Sequence, residues 1–249
     1  MGAAPDRITL DVGNSSVGLG IWTGADVRLE RVADPAAAAA RLGELGPLPA
    51  VGVSVSEPRW DELVGRLREA QRGEPRRLTG LPLALAEVSL ERTAGVDRLV
   101  TARAALPGPA VIVDAGTAVT VDVVDADGVF LGGFIAPGPA TGLDGLVRAA
   151  PALPSLAGTP VDIAPGVETE GALSAGAWGL VVGGVDRLVE ACFARLDQEG
   201  AGAGAQAVVH ATGGWGAPWA AASRYAARGV RTDEALAHRG VDDWARSGA

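Results

Sequence analysis

The stretch from Val111 to Gly138, VIVDAGTAVTVDVVDADGVFLGGFIAPG, constrains the fold more than any other part of the chain. Three apolar residues run into Asp114, and a Gly-Thr turn at Gly116 and Thr117 follows. Val119, Val121 and Val123 then alternate as a half-buried strand does. A turn at Asp125 to Gly128 leads into a third strand that ends in Pro137-Gly138. A strand, an acidic-glycine turn and a second strand present a carboxylate beside exposed backbone N–H groups. The carboxylate suits a cation, and the N–H groups suit phosphate oxygens. Near the start, ITLDVGNSSVGLGIW repeats the arrangement, with Asp11 ahead of Gly13, Asn14 and Ser15. Two such turns about a hundred residues apart point to a duplicated phosphate-gripping device.

Composition narrows the partners. The net charge is -9, and all 21 basic residues are arginines. An acidic surface repels nucleic acid and anionic lipid, so neither is an expected partner. Without lysine a P-loop is impossible, and any phosphate site must use backbone N–H, hydroxyl, arginine and metal. One cysteine, Cys192, excludes an internal disulfide framework. No apolar run reaches the ~18 residues of a membrane span, and no secretory signal opens the chain, so the expected location is the cytoplasm.

Taken in order, Ile8 to Asp11, Val17 to Trp22 and Val27 to Val32 read as three strands. Pro35 to Leu45 reads as a helix, Ala50 to Ser56 as a strand and Trp60 to Gln71 as an amphipathic helix. A loop-rich stretch from Gly73 to Pro82 precedes a helix expected over Leu99 to Leu106. Pro107-Gly108-Pro109 punctuates the chain, which places a lobe boundary there and divides it into 1–106 and 107–249. Helices are expected at Thr141 to Ala149 and Glu168 to Leu196, the latter either continuous or broken at Gly183-Gly184. Gly200 to Gly204 reads as a flexible link, Ala207 to Ala211 as a strand, and Pro218 to Ala227 as a helix; a short helix near Val241 to Trp244 closes the chain. The fold class expected is α/β, with two similar lobes, each a mixed sheet with flanking helices.

Six segments in this order resemble the acetate-kinase/sugar-kinase/Hsp70/actin superfamily, and within it the type III pantothenate kinases. They are DVGNSS at 11–16, GVDR at 95–98, DAGTAVTVD at 114–122, GGFIAPG at 132–138, ETEGALSAG at 168–176 and TGG at 212–214. The closing LAHRGVDDW also resembles that family's ending. The resemblance implies a ribonuclease-H-like, actin-like ATPase fold that transfers phosphoryl from ATP to the terminal hydroxyl of pantothenate, the first step toward coenzyme A. It further implies a site in the cleft between lobes, a homodimer that completes the substrate pocket, Mg²⁺, and a monovalent cation such as K⁺ or NH₄⁺.

Residue by residue, Asp11 becomes the Mg²⁺-associated carboxylate, with Gly13, Asn14 and Ser15 at the phosphates; a bare Asp-Gly-Asn turn is the alternative. Asp97, which heads a helix as a capping carboxylate often does, becomes the general base. Gly95, Val96 and Arg98 join it around the acceptor, Arg98 through a planar fork to a carboxylate. Asp114 holds the monovalent cation, and Gly116 and Thr117 approach phosphate. Thr169 matches the threonine that reaches the neighbouring subunit's pantothenate; as a residue it equally reads as a helix N-cap. Gly213 and Gly214 let backbone lie close to nucleotide, or simply turn the chain. Cys192 is expected in the core, His210 and His238 as neither ligands nor bases, and Trp215 and Trp219 in helix packing. The family's proline-containing segment before GVDR, often with a tyrosine, is replaced by Ser89-Leu90-Glu91-Arg92-Thr93. Two alternatives follow: a kinase for another small hydroxylated acceptor, or a nucleotide-binding regulatory paralogue.

Overall fold

The structure is a computed structural model that describes residues 3–85, 94–156 and 162–248. The Ser89–Thr93 stretch lies outside the described residues. The chain divides into two compact units: the first is Met1–Leu106, Gly128–Phe130 and Ala235–Ala249, the second Pro107–Asp127 and Leu131–Glu234.

In the first unit β1 (Arg7–Val12), β2 (Val17–Thr23) and β3 (Asp26–Val32) form an antiparallel meander. After α1 (Pro35–Leu45), β4 (Ala50–Ser54) pairs parallel to β1; α2 (Glu57–Glu69) leads to the two-residue β5 (Arg76–Arg77), and α3 (Val96–Ala104) follows. The sheet order is β3-β2-β1-β4-β5. Period-2 patterning decides which face each side chain takes. Ile8, Leu10 and Val12 bury against Ala38 and Leu42 of α1 and Trp60, Leu63 and Leu67 of α2. Thr9 and Asp11 have the opposite parity and point to the other face. Helix α1 starts where Asp34 accepts the Ala37 N–H at 2.8 Å and Pro35 takes the first helical position, both ordinary start signals.

The second unit repeats this order strand for strand. It contains β6 (Ala110–Ala115), β7 (Ala118–Val124), all but the first residue of β8 (Phe130–Pro137), α4 (Pro139–Ala149), α5 (Thr169–Glu199), α6 (Ala203–Gln206), β9 (Val208–Thr212), α7 (Gly216–Ala222) and β10 (Arg231–Thr232). The sheet order is β10-β9-β6-β7-β8, with β6–β7 antiparallel and β6–β9 parallel. Its core sets Val111, Val113, Val119, Val121 and Val123 against α5 and α7. Helix α5 runs unbroken through Gly183-Gly184 for 31 residues. Asp186, buried on it, accepts from Ser223 Oγ at 2.6 Å, Trp219 Nε1 at 3.2 Å and the Arg224 N–H at 3.0 Å. That buried carboxylate fastens α7, the helix after the glycine pair, to α5.

The last helix, α8 (Leu236–Arg246), corrects the expected 107–249 lobe, because residues 235–249 belong to the first unit. Val241 and Trp244 are buried there with Val53, Leu78 and Val100. Gly240 lies so close to α3 that a Cβ would collide with the Val100 carbonyl. Three other expectations also change. Gly200 to Gly204 is not a free link, because Gly204 is buried in α6 and its N–H donates to Asp197 Oδ1 at 2.9 Å. The Pro218–Ala227 helix begins earlier and stops at Ala222, where Ser223 turns its hydroxyl to Asp186; a short 3₁₀ turn at Ala226–Arg228 follows. Helix α3 starts at Val96 rather than Leu99. Although no 18-residue apolar run occurs in the sequence, α5 is long and apolar enough on average to cross a membrane.

Candidate active site

Asp11 is the fifth of the six residues of β1, and Asp114 the fifth of the six residues of β6. Each is half-buried, each is followed by a buried residue and then a half-buried glycine, and each turn ends at an exposed tip. Asn14 and Ser15 form the tip of the first turn, which the Gly13 N–H closes by donating to the Ser16 carbonyl at 3.1 Å. In the second, the Gly116 N–H donates to the Ala118 carbonyl at 2.9 Å, leaving Thr117 exposed. Exposed N–H and hydroxyl groups beside a fixed carboxylate are the chemistry that phosphate and its counter-cation require.

Gly213 sits against the second turn. Thr212 pairs with Asp114 across β9 and β6, and the Trp215 N–H donates to the Ala115 carbonyl at 2.9 Å. Gly213 has φ +78°, and a Cβ there would lie 2.5 Å from the Ala115 carbonyl oxygen and 2.6 Å from Asp114 Oδ1. Here only glycine fits. Nothing lies within 4 Å of a Cβ on Gly214, which leaves that side of the turn open. Gly138 is a further requirement that the sequence did not assign. Its N–H donates to the Thr117 carbonyl at 2.9 Å, and a Cβ would collide with the Gly116 carbonyl. Thr141 Oγ1 donates to the same Thr117 carbonyl at 2.6 Å. The start of α4 thus clamps the second turn from behind.

In the first unit Asp97 lies in the first turn of α3, whose N-cap is Gly95. The cap is therefore not Asp97 itself. Its Oδ1 accepts the Arg98 N–H at 2.8 Å, which fixes the carboxylate's orientation at the start of the helix. A Cβ on Gly95 would come within 2.5 Å of that Oδ1 and 3.8 Å of Val55, just beyond β4. Because Asp11 pairs with Val53 of β4, Asp11 and Asp97 share the carboxyl end of the β1–β4 parallel pair, where open α/β sheets bind ligands. The Arg98 guanidinium stands 5.6 Å from the Phe130 ring. Thr169 is the exposed first residue of α5; the N-cap is Glu168, so the capping alternative for Thr169 falls away.

His238 is buried, with Nδ1 2.9 Å from Thr9 Oγ1. It fills a slot left by Gly18 and Gly20, where added Cβ atoms would sit 2.9 Å from Nε2 and 2.8 Å from Nδ1. The Gly18 position is also 3.7 Å from the Asp11 Cβ, so the imidazole backs the face that carries Asp11. Two glycines two apart in one strand were the available signal for this slot. Burial, aided by Arg31, holds the His238 pKa down to about 4 from 6.5. The unfolded chain therefore takes up the proton first on acidification. Stability from the neutral imidazole is complete above about 6.5 and is lost as pH falls toward 4, by up to ~3 kcal/mol. Urea unfolding at stepped pH should show this fall, and His238→Leu should flatten it between pH 6.5 and 4.

Among the other singled-out residues, Cys192 is core, its thiol pushed up to about 12 by burial. Trp215 packs at 5.4 Å on Trp178, and Trp219 is fully buried. Among the described residues no three His, Cys, Asp or Glu side chains gather to hold a metal.

The sequence profile of the type III pantothenate kinase family matches residues 7–191. A type III pantothenate kinase of Parafrankia sp. (strain EAN1pec) is 36% identical over 227 residues, covering 83% of this chain and 85% of its own. A Campylobacter jejuni structure described as a Baf family transcriptional activator superposes with TM-score 0.63 at 22% identity, over 96% of this chain and 98% of that one. A Sinorhizobium meliloti structure described as a 2-dehydro-3-deoxygalactonokinase gives TM-score 0.52 at 18% identity, over 97% and 96%. These last two likenesses speak for the fold.

Proposed function

The chain belongs to the type III pantothenate kinase family, and we infer that its two acidic-glycine turns grip the phosphates of ATP while Asp97 readies the acceptor. The reaction is phosphorylation of pantothenate to 4′-phosphopantothenate, which opens coenzyme A biosynthesis. The observation that carries the residue assignment is the repeat itself: two sheets of one strand order, each with a carboxylate at the same step of its central strand.

In this reading the N–H and side-chain groups of Asn14, Ser15 and Thr117 orient phosphate oxygens, Gly13 and Gly116, whose own N–H groups close the two turns, keep the backbone bare for the phosphates' approach, and Gly213 and Gly214 admit the nucleotide close to backbone. Asp11 faces Mg²⁺, which supplies charge neutralisation on the phosphates when bound. Asp114 holds K⁺ or NH₄⁺. Asp97 accepts the proton of the attacking hydroxyl; Arg98 binds the acceptor's carboxylate, and Gly95 and Val96 wall the acceptor. Phosphoryl transfer depends chiefly on positioning and charge stabilisation, so this small set suffices. The test is ADP release with ATP, Mg²⁺ and pantothenate in potassium or sodium salts. Turnover that requires pantothenate and rises with potassium supports the reading. A folded protein that binds ATP yet ignores pantothenate would redirect it to another hydroxylated acceptor.

Helices α4 and α5 enclose an apolar groove of about 740 Å³, with Leu143, Leu146, Leu173, Val181 and Leu188 in its lining. Leu180 on its edge is 79% exposed. A second copy of the chain is the occupant proposed, since Gly176, Ala177 and Gly184 permit close helix approach and Thr169 heads the same helix. Leu180→Glu should then give a monomer by sedimentation while unmixed wild type sediments as a dimer. With its inner face committed to the core around Trp178, Val182 and Val189, α5 is a core and interface helix, which accords with a cytoplasmic enzyme.

A further inference from the structure

A second cavity, of about 880 Å³, opens in the first unit at the amino end of β1, the end away from Asp11. Its volume falls in the range of small-molecule pockets. Ile8, Leu42, Leu48 and Leu67 give it an apolar floor. Its rim carries four arginines, Arg7, Arg72, Arg76 and Arg246, against two carboxylates, Asp242 and Glu74. Both carboxylates are already engaged. Asp242 accepts from Arg7 at 2.7 and 3.0 Å and pairs with Arg246 at 2.9 Å. Glu74 takes Arg68, outside the cavity, at 2.6 and 3.0 Å. Arg72 has no carboxylate partner among the described residues and is exposed. In a chain of net charge -9, such a cationic mouth runs against the overall surface.

The backbone supplies an independent observation. Gln71 has φ +54°, the only positive φ at a non-glycine among the described residues. It ends α2 in a Schellman turn, with the Arg72 N–H donating to Leu67 at 2.8 Å and its own N–H to Arg68 at 2.9 Å. Glycine is the favoured residue at that position. A side chain is retained there at a cost to stability, and it lines the cavity beside Arg72. Strain of this kind gathers at ligand clamps.

We propose that this cavity is a second ligand site, taking a small amphipathic anion with its aliphatic body on Ile8, Leu42, Leu48 and Leu67. Its phosphate or carboxylate head lies against Arg72 and the Gln71 side-chain amide. Guanidinium forks suit either head, and the floor requires the aliphatic body. Titration calorimetry of the full-length chain with octyl phosphate and with octanoate tests it, with octanol and inorganic phosphate as probes lacking head or tail. Saturable one-to-one binding is expected, at least about tenfold tighter than either truncated probe. Preference for octyl phosphate would identify a phosphate ligand, and preference for octanoate a carboxylate one. Arg72→Ala and Gln71→Gly should each weaken binding about fivefold or more, and Gln71→Gly should raise the melting temperature by relieving the left-handed backbone. Neither change removes a buried group, so both variants fold. The proposal is overturned if neither amphiphile binds saturably at millimolar concentration, or if both variants bind as wild type does.

Discussion

Asp97→Asn should lower the turnover of pantothenate phosphorylation by about 10²–10⁴-fold, the range that a positioned general base supplies. The carboxylate is held ready at the start of α3: Oδ1 accepts the Arg98 N–H at 2.8 Å, and Gly95 leaves the space that Oδ1 occupies. Asparagine retains an oxygen for that N–H and nearly the same volume, so the helix should keep its form. What it loses is the capacity to take the hydroxyl proton. The loss should therefore fall on kcat, with the KM for ATP and the melting temperature near wild type. Retained turnover would remove Asp97 from the chemistry. A large fall in melting temperature would mean that the carboxylate serves the helix rather than the reaction.

Gly213→Ala should have the second large effect, through the nucleotide rather than the acceptor. Two penalties coincide: a backbone at φ +78°, and a Cβ placed 2.5 Å from the Ala115 carbonyl and 2.6 Å from Asp114 Oδ1. The turn must move away from the end of β6, at a cost of about 1–3 kcal/mol in stability. Because the same movement displaces Asp114, the affinity for ATP should fall by about tenfold or more, which corresponds to ~1.4 kcal/mol. Gly214→Ala is the matched control for stability alone, since nothing of the protein lies within 4 Å of its Cβ, and any loss of ATP affinity there comes from the nucleotide's own approach. Urea unfolding and nucleotide titration of the pair separate strain from binding. Unchanged ATP affinity in Gly213→Ala would exclude the TGG turn from the site.

Much of this was legible before the structure, for a physical reason. Residues adjacent in sequence carried the turns: Asp11 with Gly13 to Ser15, and Asp114 with Gly116 and Thr117. Valine alternation fixed β7, and Pro35 with Asp34 marked the start of α1. What stayed hidden depends on partners far along the chain. Gly213 needs its glycine because β9 pairs with β6 and brings it to Asp114, and no local pattern states that pairing. Gly138 is required by a carbonyl twenty-two residues earlier. His238 has no local motif, yet it fits a slot made by Gly18 and Gly20. The end of α7 was misplaced for the same reason, since Ser223 breaks the helix for an acceptor on α5.

The placement of α8 also bears on how the chain is made. Residues of the first unit are synthesised first, but Val241 and Trp244, which cover Val53 and Val100, are synthesised nearly last. At ~5–20 residues per second, the intervening second unit occupies the ribosome for roughly 6–25 s. Throughout that interval one face of the nascent sheet lacks its cover. The half of the polypeptide made first is therefore closed only by nearly the last residues made, and neither half is completed before synthesis is almost over.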